Sequence, residues 1–228
     1  MLDALDGARL RELGCWFGGG TAIALRHGEY RESIDIGFLV SDADGYRQLR
    51  QLLAGADGID ALLRAGAAPI ALARDIRADQ YGIRTVLSVG DARIKFEIIR
   101  EARIVLAPPA RNDAIHGIAT LTTTDLAATK LLANSDRWRD DSAFSRDAID
   151  LAMMDLPPRR LRPALDKARQ AYGEAVVVDM QRALETLRER PVHLERCMRT
   201  MSMTLPQAAL QQRLRALGRR LDRFAEDQ

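Results

Sequence analysis

The hydrophobic periodicity of the chain changes near residue 120, and this change restricts the possible fold more than any other feature. Before that point, strand patterns rich in alternating or β-branched residues cover 33–40, 70–77, 82–89 and 93–101. From Thr123 onward, apolar residues recur at helical spacing. This predicts helices over 123–135, 143–154, 160–171, 174–190, 192–201 and 206–225. We therefore expect an α+β fold, with a mixed sheet in domain 1–120 and an all-helical domain 121–228.

Shorter sequence patterns predict further elements of domain 1–120. Residues 3–14 have the spacing of an amphipathic helix, and 21–27 that of a short one. Between them, Cys15–Phe17 is a short apolar entry into a glycine-rich turn. The Val89–Ala92 segment contains Gly-Asp and predicts a tight hairpin turn. The order of elements differs from the repeated β-α-β pattern of a doubly wound sheet.

Composition excludes several classes of protein. Of the 228 residues, 47% are hydrophobic and 29% charged, as in ordinary globular domains. We expect no membrane span, because no long uncharged apolar run is present, and no signal peptide, because the N-terminal segment lacks a basic start. Cys15 and Cys197 are far apart and outside any metal-type spacing, which argues against a disulfide framework or zinc site. A reducing cytoplasm is the expected location.

The basic residues are unevenly distributed. Net charge is +2, yet residues 153–228 contain fifteen Lys and Arg against ten Asp and Glu. This excess suits an anionic partner, although solvated helices of an arginine-rich protein would look the same. Only three of the 34 basic residues are lysines, namely Lys95, Lys130 and Lys167. Because an ammonium differs chemically from a guanidinium, these lysines are candidates for specific roles.

The first candidate site joins the Gly18–Thr21 turn to the strand that follows it. Glycines at a strand-to-helix turn let backbone N–H groups approach a phosphate, although a GGGT sequence can equally be a tight turn. In the strand, Ser33, Asp35 and Gly37 share one face, while Ile34, Ile36 and Phe38 are expected in the core. Asp35 could serve that site or be a solvated residue on an exposed sheet face.

Three further segments carry chemically useful residues. The strand RIKFEI places Lys95 and Glu97 on one face, where a cross-strand Lys–Glu pair is the simpler interpretation. Thr123 or Thr124 can cap the helix that carries Lys130. The segment SRDAIDL, residues 145–151, could form part of a site or an amphipathic helix with ordinary ion pairs.

Taken together, these segments resemble the AbiEii/AbiGii toxin family of nucleotidyltransferases. That family carries a GGT-type turn, an R-x-S-x-D-I-D-F strand, a lysine–acid strand, a T-x-x-D-L-x-A-x-K helix and an R-D-x-x-D-L helix. The matching segments here are GGGTAIALRHGEYRESIDIGF, RIKFEII, TTTDLAATK and SRDAIDL, in that order. The resemblance runs from about residue 14 to 155, and the C-terminal helices carry no matching motif. It implies a nucleotidyltransferase-like N-terminal domain.

The resemblance also implies roles for individual residues. Metal ligands of the family are strand aspartates and a third carboxylate, which correspond to Asp35 and, by its place after Lys95, Glu97. Mg²⁺ or Mn²⁺ is the implied cofactor. Catalytic roles fall on these two acids and on Lys130 and Asp150. The implied nucleotide-binding residues are Gly19, Gly20, Thr21, Ser33, Lys95, Arg146 and Asp147.

Gly37 departs from the family pattern, which has its second aspartate at this position. Glycine cannot ligate a metal through a side chain, and it weakens a strand. The chain could be a natural pseudoenzyme, or it could recruit another acid such as Asp42 or Glu32, although neither lies on the right face. The interpretation we favour is a substitution that disarms a toxin, because the residues around position 37 retain the pattern of a working site.

The implied reaction transfers a nucleoside monophosphate from an NTP to RNA, with the tRNA 3′ end as expected acceptor and pyrophosphate as leaving group. A cognate antitoxin is the implied protein partner. Two alternatives remain open from the sequence. One is a non-catalytic pseudo-nucleotidyltransferase that binds nucleotide or RNA. The other is a kinase-like phosphotransferase on the same scaffold, since both transfers need a metal-bound triphosphate.

Overall fold

The computed structural model describes residues 1–226 and contains two compact units, each considered by itself below. The first unit contains Met1–Ala22 and Ile34–Thr122, and the second contains Ile23–Ser33 and the chain from Thr123 onward. A mixed sheet occupies the N-terminal half and helices the C-terminal half, so the expected α+β class is confirmed. The proposed domain boundary between residues 120 and 121 stays a prediction.

A five-stranded mixed sheet forms the centre of the first unit. Its strands are β1 (Trp16–Gly18), β2 (Asp35–Val40), β3 (Ala71–Ala78), β4 (Gly82–Val89) and β5 (Ala92–Arg100), in the spatial order β1-β2-β5-β4-β3. β2 pairs with β5 in parallel, and the other neighbours are antiparallel. The predicted hairpin between β4 and β5 is present, with Val89 opposite Ala92 and Gly90 at φ +58°. A positive φ favours glycine at this turn.

Short elements complete the first unit. A small hairpin pairs β6 (Ala114–Ile115) with β7 (Ile118–Ala119). The helices are α1 (Gly7–Glu12), α2 (Gly19–Arg26), whose residues belong to both units, and α3 (Ala43–Leu53). The expected helix 3–14 is interrupted at Asp6. Its carboxylate accepts hydrogen bonds from the N–H groups of Ala8 and Arg9 and caps α1 there, after a 3-10 turn at Leu2–Ala4.

Three phenylalanines from adjacent strands form the core beneath the sheet. Phe17, Phe38 and Phe96 are fully buried, and the ring centroids of Phe38 lie 5.6 Å from those of the other two. The expectation that Ile34 would join this core is wrong, because its side chain is 71% exposed. β2 begins one residue later, at Asp35, so Ile34 lies outside the sheet; the buried alternation is set by Ile36 and Phe38.

The second unit is helical. Its helices from residue 123 onward are α4 (Thr123–Arg137), α5 (Arg146–Met153), α6 (Pro158–Tyr172), α7 (Ala175–Glu189), α8 (Pro191–Thr200) and α9 (Gln207–Glu226). α6 and α8 each begin with a proline, whose fixed φ and missing N–H suit the first helical position. α4 packs against α5, α6 and α7, and α9 packs against α5 and α7. α4 and α5 therefore lie where residues of several helices meet.

The segment before α5 is less regular than expected. The helix predicted over 143–154 begins at Arg146, because Phe144 and Ser145 take left-handed backbone conformations, with φ of 51° and 48°. A 3-10 turn at Asp141–Ala143 precedes them. Among the described residues, none of the helices has the length and apolar character needed to cross a membrane.

Candidate functional site

The central parallel pair of strands brings Asp35 and Glu97 to one face of the sheet. In the register of β2 with β5, Asp35 is opposite Lys95 and Gly37 is opposite Glu97. Side chains at paired positions, and at positions two apart along a strand, point to the same side. Asp35 and Glu97 are therefore diagonal neighbours, with Cα atoms about 8 Å apart from standard strand spacing and rise. This face is opposite to the one that carries the phenylalanine core.

Glu97 is surrounded by positive charge. Its Oε1 lies 2.9 Å from Lys95 Nζ and 3.6 Å from the Nε of Arg84, which is opposite it on β4. The Glu97 side chain is 19% exposed, so it remains accessible from solvent while these cations hold it in place. The sequence suggests a cross-strand Lys–Glu pair, but Lys95 and Glu97 instead pair along one strand, next to Asp35.

The space above Gly37 is open. A Cβ atom built on Gly37 would meet only the carbonyl oxygen of Gly18, at 3.8 Å. Gly18, its register partner on β1, differs sharply, because a Cβ there would lie 2.7 Å from side-chain atoms of Leu39 and Leu121. Packing therefore demands glycine at position 18, whereas nothing in the packing demands it at position 37.

The glycine-rich turn leads directly from strand to helix. β1 ends at Gly18 and α2 begins at Gly19, whose φ of +71° is a conformation that glycine adopts without strain. Thr21 donates a hydrogen bond through its hydroxyl to the backbone carbonyl of Asp35, which ties the start of α2 to the start of β2. The first N–H groups of a helix lack intrahelical acceptors, so the Gly19–Thr21 segment is suited to bind a phosphate.

The candidate metal ligands of the first unit are the carboxylates of Asp35 and Glu97. Within residues 1–226, no group of three or more His, Cys, Asp and Glu side chains is arranged to hold a metal. Mg²⁺ commonly uses one or two carboxylates and completes its shell with water and substrate phosphates, a set that Asp35 and Glu97 fit. Asp42 caps α3 by accepting from the N–H of Gly45 at 2.6 Å, and Glu32 belongs to the second unit.

The second unit contains a buried ion cluster, made of Tyr30, Arg31, Lys130, Arg137, Asp147 and Asp150. Asp150 accepts hydrogen bonds from the Tyr30 hydroxyl at 2.6 Å and from Arg31 Nε and Nη2 at 2.8 and 3.0 Å. Lys130 Nζ lies 2.6 Å from Asp150 Oδ2 and 2.8 Å from Asp147 Oδ1. Arg137 closes the cluster with two bonds to Asp147. The predicted residues Lys130, Asp147 and Asp150 are thus in direct contact.

Both carboxylates of this cluster stay ionised despite burial. Burial by itself raises the pKa of Asp150, but Lys130 and Arg31 outweigh it, and the pKa lies below its ordinary value. For Asp147, burial is likewise outweighed by Lys130 and Arg137, and its pKa is also lowered. The pKa of Tyr30 is raised by burial and by the negative charge of Asp150, so its hydroxyl remains a donor.

The burial of Asp150 determines what it can do. Its side chain is completely buried and bonded to three partners, so its carboxylate holds Lys130 and Arg31 in place. Tyr30, Arg31 and Arg137 were not among the predicted site residues. Arg31 is the first residue of the RESID segment, which belongs to the family motif and could have indicated it. No sequence pattern points to Tyr30 or Arg137. Of the other predicted residues, Ser33 and Arg146, the first residue of α5, are half-buried.

Each of the three lysines forms an ion pair with an acid. Lys95 contacts Glu97, Lys130 contacts Asp147 and Asp150, and Lys167 contacts the fully buried Asp125. Asp125 belongs to the TTTDLAATK segment, so part of that segment secures α4 to α6. The use of lysine therefore marks specific contacts, one of which lies outside the predicted site.

Solved structures with a similar fold come from Helicobacter pylori. One is a protein provisionally assigned as a nucleotidyltransferase, and the other is JHP933. Each is 14% identical in sequence, with a TM-score of 0.53 for the first and 0.51 for JHP933, and each alignment covers 97% of this chain and 90% of the other. At this identity the likeness shows the fold alone. No curated protein matches the chain.

A family model gives the more specific relationship. The model described as nucleotidyl transferase AbiEii toxin, type IV toxin–antitoxin system, matches residues 3–226. The match extends well beyond the segments that carry the motifs and includes the helices α6 to α9. The chain therefore belongs to the AbiEii family of nucleotidyl transferase toxins.

Proposed function

We propose that the chain transfers a nucleoside monophosphate from an NTP to an RNA acceptor, the 3′ end of tRNA, and that Gly37 limits this activity. The family supports a toxin nucleotidyltransferase. The observation that carries the proposal is the register of β2 with β5, which places Asp35, Lys95 and Glu97 on one face with an open position at Gly37. The first unit thus offers carboxylates, a cation and free space together.

Within the first unit, each group has a distinct task in this proposal. Asp35 and Glu97 would hold Mg²⁺ or Mn²⁺, which when bound neutralises triphosphate charge. The N–H groups at Gly19 and Gly20 bind phosphate oxygens, while Thr21 fixes the start of α2 against β2. Lys95 restrains Glu97 through its 2.9 Å contact and adds positive charge beside the phosphates. No acid is positioned at Gly37 to complete the ligand set.

The missing carboxylate should affect rate more than folding. Acids of a nucleotidyl transfer site fix the ion relative to the reacting oxygens, and a displacement of ~1 Å in a reacting group can cost about a hundredfold in rate. The chain with Gly37 should therefore fold and bind NTP but transfer slowly. A carboxylate restored at this position would be directly opposite Glu97.

For the second unit, the phosphate contacts assigned to Lys130, Arg146 and Ser33 stay predictions. In this proposal Asp147 and Asp150 position Lys130, because a carboxylate oxygen of each lies at hydrogen-bond distance from its ammonium group. Replacing Lys130 by Ala in the Gly37→Asp background should lower NTP binding or turnover at least about tenfold, equal to roughly 1.4 kcal/mol.

The decisive experiment compares the chain with Gly37→Asp and Gly37→Asn. Each protein is incubated with total tRNA, Mg²⁺ and each NTP labelled in turn at the α- or γ-phosphate. We expect Gly37→Asp to transfer the α-label to tRNA about a hundredfold faster than the chain itself, and to lose this activity with EDTA. Gly37→Asn matches the size of aspartate without its charge and should stay slow.

Other results of this experiment would favour one of the alternative functions. Transfer of the γ-label would show a kinase-like reaction. NTP binding without transfer by any variant would favour a pseudo-nucleotidyltransferase, the alternative that Gly37 supports. Full-speed transfer by the chain itself would show that Gly37 is not limiting, and Asp42 would then be the first acid to replace.

Membership of a type IV toxin–antitoxin family implies a cognate antitoxin. Under the proposal, expression of Gly37→Asp in the host cytoplasm should slow growth, and co-expression of the antitoxin should relieve it. The chain with Gly37 should be tolerated alone. Growth curves from an inducible promoter, with protein amounts matched by immunoblot, would measure both effects.

A further inference from the structure

The face of the sheet that carries Asp35 and Glu97 continues across β4 and β3 as a strongly basic surface. We call this surface the basic face. It consists of Arg74 and Arg77 on β3, Arg84 on β4, and Arg93 and Lys95 on β5. Register places them together: Arg84 is opposite Glu97, Val86 is opposite Lys95, and Ser88 is opposite Arg93. The basic face therefore begins beside the candidate metal ligands and extends to the edge of the sheet.

Irregular pairing of β3 directs both of its arginines to this face. In an uninterrupted strand, residues 74 and 77 would point to opposite sides, because alternation has a period of two. Here Arg74 pairs with Val86 and Arg77 pairs with Arg84, so three steps along β3 match two along β4. The register shift is a β-bulge, a device that re-aims side chains. By this pairing, both arginines lie opposite residues of one face of β4.

These side chains are available to a partner. Arg74, Arg77 and Arg93 are exposed, and no ion pair of theirs occurs within the part of the chain that the structure describes. Arg84 contacts both Glu97 and Asp79, the latter at 3.3 Å, and Lys95 contacts Glu97. Among residues that the register places on this face, only Asp35 and Glu97 are acidic, and Asp79 reaches Arg84 from the turn between β3 and β4, so five cations face three carboxylates. The acid of β3, Asp75, falls within the bulge.

The chemistry of the face favours a phosphate backbone over unpaired bases. β3 and β4 contain no aromatic residue, and the aromatic residue of β5, Phe96, lies in the core. Proteins that bind single strands use aromatic side chains for base stacking, whereas arginine forks bind phosphates irrespective of sequence. A surface with four arginines, one lysine and fewer acids suits the backbone of a helical stem.

We propose that the basic face binds the phosphate backbone of a double-helical RNA stem, whose unpaired 3′ end then lies near Asp35 and Glu97. This inference rests on the proposed function for the identity of the reaction, while the binding itself needs neither NTP nor metal. In this proposal Arg74 and Arg77 bind the RNA acceptor and take no part in the transfer reaction.

Binding by the full chain would be measured as fluorescence anisotropy of a labelled RNA hairpin with a 3′ overhang, in EDTA and without NTP. The test variant is Arg74→Ala/Arg77→Ala. Its matched control is Arg159→Ala/Arg160→Ala, which removes two exposed arginines from α6 in the other unit. We expect the test variant to weaken binding at least about tenfold, and to reduce the slope of log K against log salt by about 2. The control should change neither quantity.

Three results would overturn the inference: equal weakening by the control pair, binding of single-stranded RNA as tightly as the hairpin, or a preference for an acidic peptide over RNA. Unfolding temperatures of all variants would confirm that folding is intact. Failure of the proposed function looks different, because Gly37→Asp would then transfer nothing while hairpin binding still depended on Arg74 and Arg77. Conversely, transfer by Gly37→Asp with an unchanged RNA KM in the arginine variant would refute the inference alone.

Discussion

Glu97 is directly opposite Gly37 in the parallel pairing of β2 with β5, and a Cβ atom at Gly37 would meet no atom closer than the Gly18 carbonyl oxygen, at 3.8 Å. Asp35 lies two residues before Gly37 on β2, on the same face of the sheet. The consequence is a surface on which two carboxylates are already placed and a Cβ atom at position 37 would displace no neighbour. This relationship makes position 37 directly testable through metal binding as well as activity.

Gly37→Asp should make the stability of the first unit depend on metal. Without Mg²⁺, a carboxylate opposite Glu97 should lower stability by about 0.2–1 kcal/mol, the usual range for cross-strand pairs. With Mg²⁺ in excess, binding to the folded state should reverse this loss by mass action. Thermal unfolding with and without millimolar Mg²⁺ measures both, and Gly37→Asn is the uncharged control. An equal response of the Asn variant would contradict a carboxylate site.

Removing Asp150 should destabilise the second unit severely. Asp150→Ala leaves Arg31 without its bidentate partner and Lys130 with Asp147 alone, and loss of one member of a buried ion pair costs about 3–5 kcal/mol. Urea denaturation monitored by circular dichroism gives the free energy of unfolding. Glu185→Ala breaks an exposed pair with Arg188 in the same unit and should cost less than about 1 kcal/mol. Similar losses in both variants would argue against a stabilising cluster.

Acid should unfold the second unit through the same two carboxylates. The pKa values of Asp147 and Asp150 are lowered in the folded state, so the unfolded chain takes up protons at higher pH than the folded one. Their contribution is complete above the unfolded pKa of about 3.9 and is lost as pH falls through the lower folded values. Urea midpoints should be level from neutral pH to about 5 and fall below about 4. Asp147→Asn should flatten this fall, whereas exposed Glu185→Gln should preserve it.

The phenylalanine core should control the stability of the first unit. Phe38 is fully buried between Phe17 and Phe96, so Phe38→Ala should cost about 3–5 kcal/mol from lost packing and the cavity it leaves. Val105→Ala, at a side chain 79% exposed in the same unit, should change stability by less than about 0.5 kcal/mol. Chemical denaturation of both variants distinguishes a core residue from a solvated one. A small effect of Phe38→Ala would contradict this packing.

The regular elements could be predicted from sequence because their periodicity is local. β4 and β5 alternate over eight and nine residues, and the helices from Thr123 onward repeat an apolar stripe over several turns. β1, β6 and β7 are two or three residues long, too short for alternation to appear. The prediction that Ile34 lies in the core is wrong for a related reason, because composition alone does not show at which residue the pairing of β2 begins.

The candidate site was predictable only in part. Alternation was sufficient to place Asp35 with Gly37 and Lys95 with Glu97 on shared faces, and the resemblance brought the two strands together. The buried ion cluster joins Arg31 to Asp150, 119 positions away, and no local pattern reports such a contact. The bulge that aligns Arg74 with Arg77 is likewise invisible in the sequence, because it depends on the partner strand.

The free space above Gly37 also has a genetic consequence. The glycine codons GGU and GGC become aspartate codons through a single base change, and a Cβ at position 37 would meet no atom closer than 3.8 Å. Under the proposed function, a lineage that encodes position 37 as GGU or GGC is one point mutation away from an armed toxin. The same step in reverse lets a population silence the toxin while the folded protein persists.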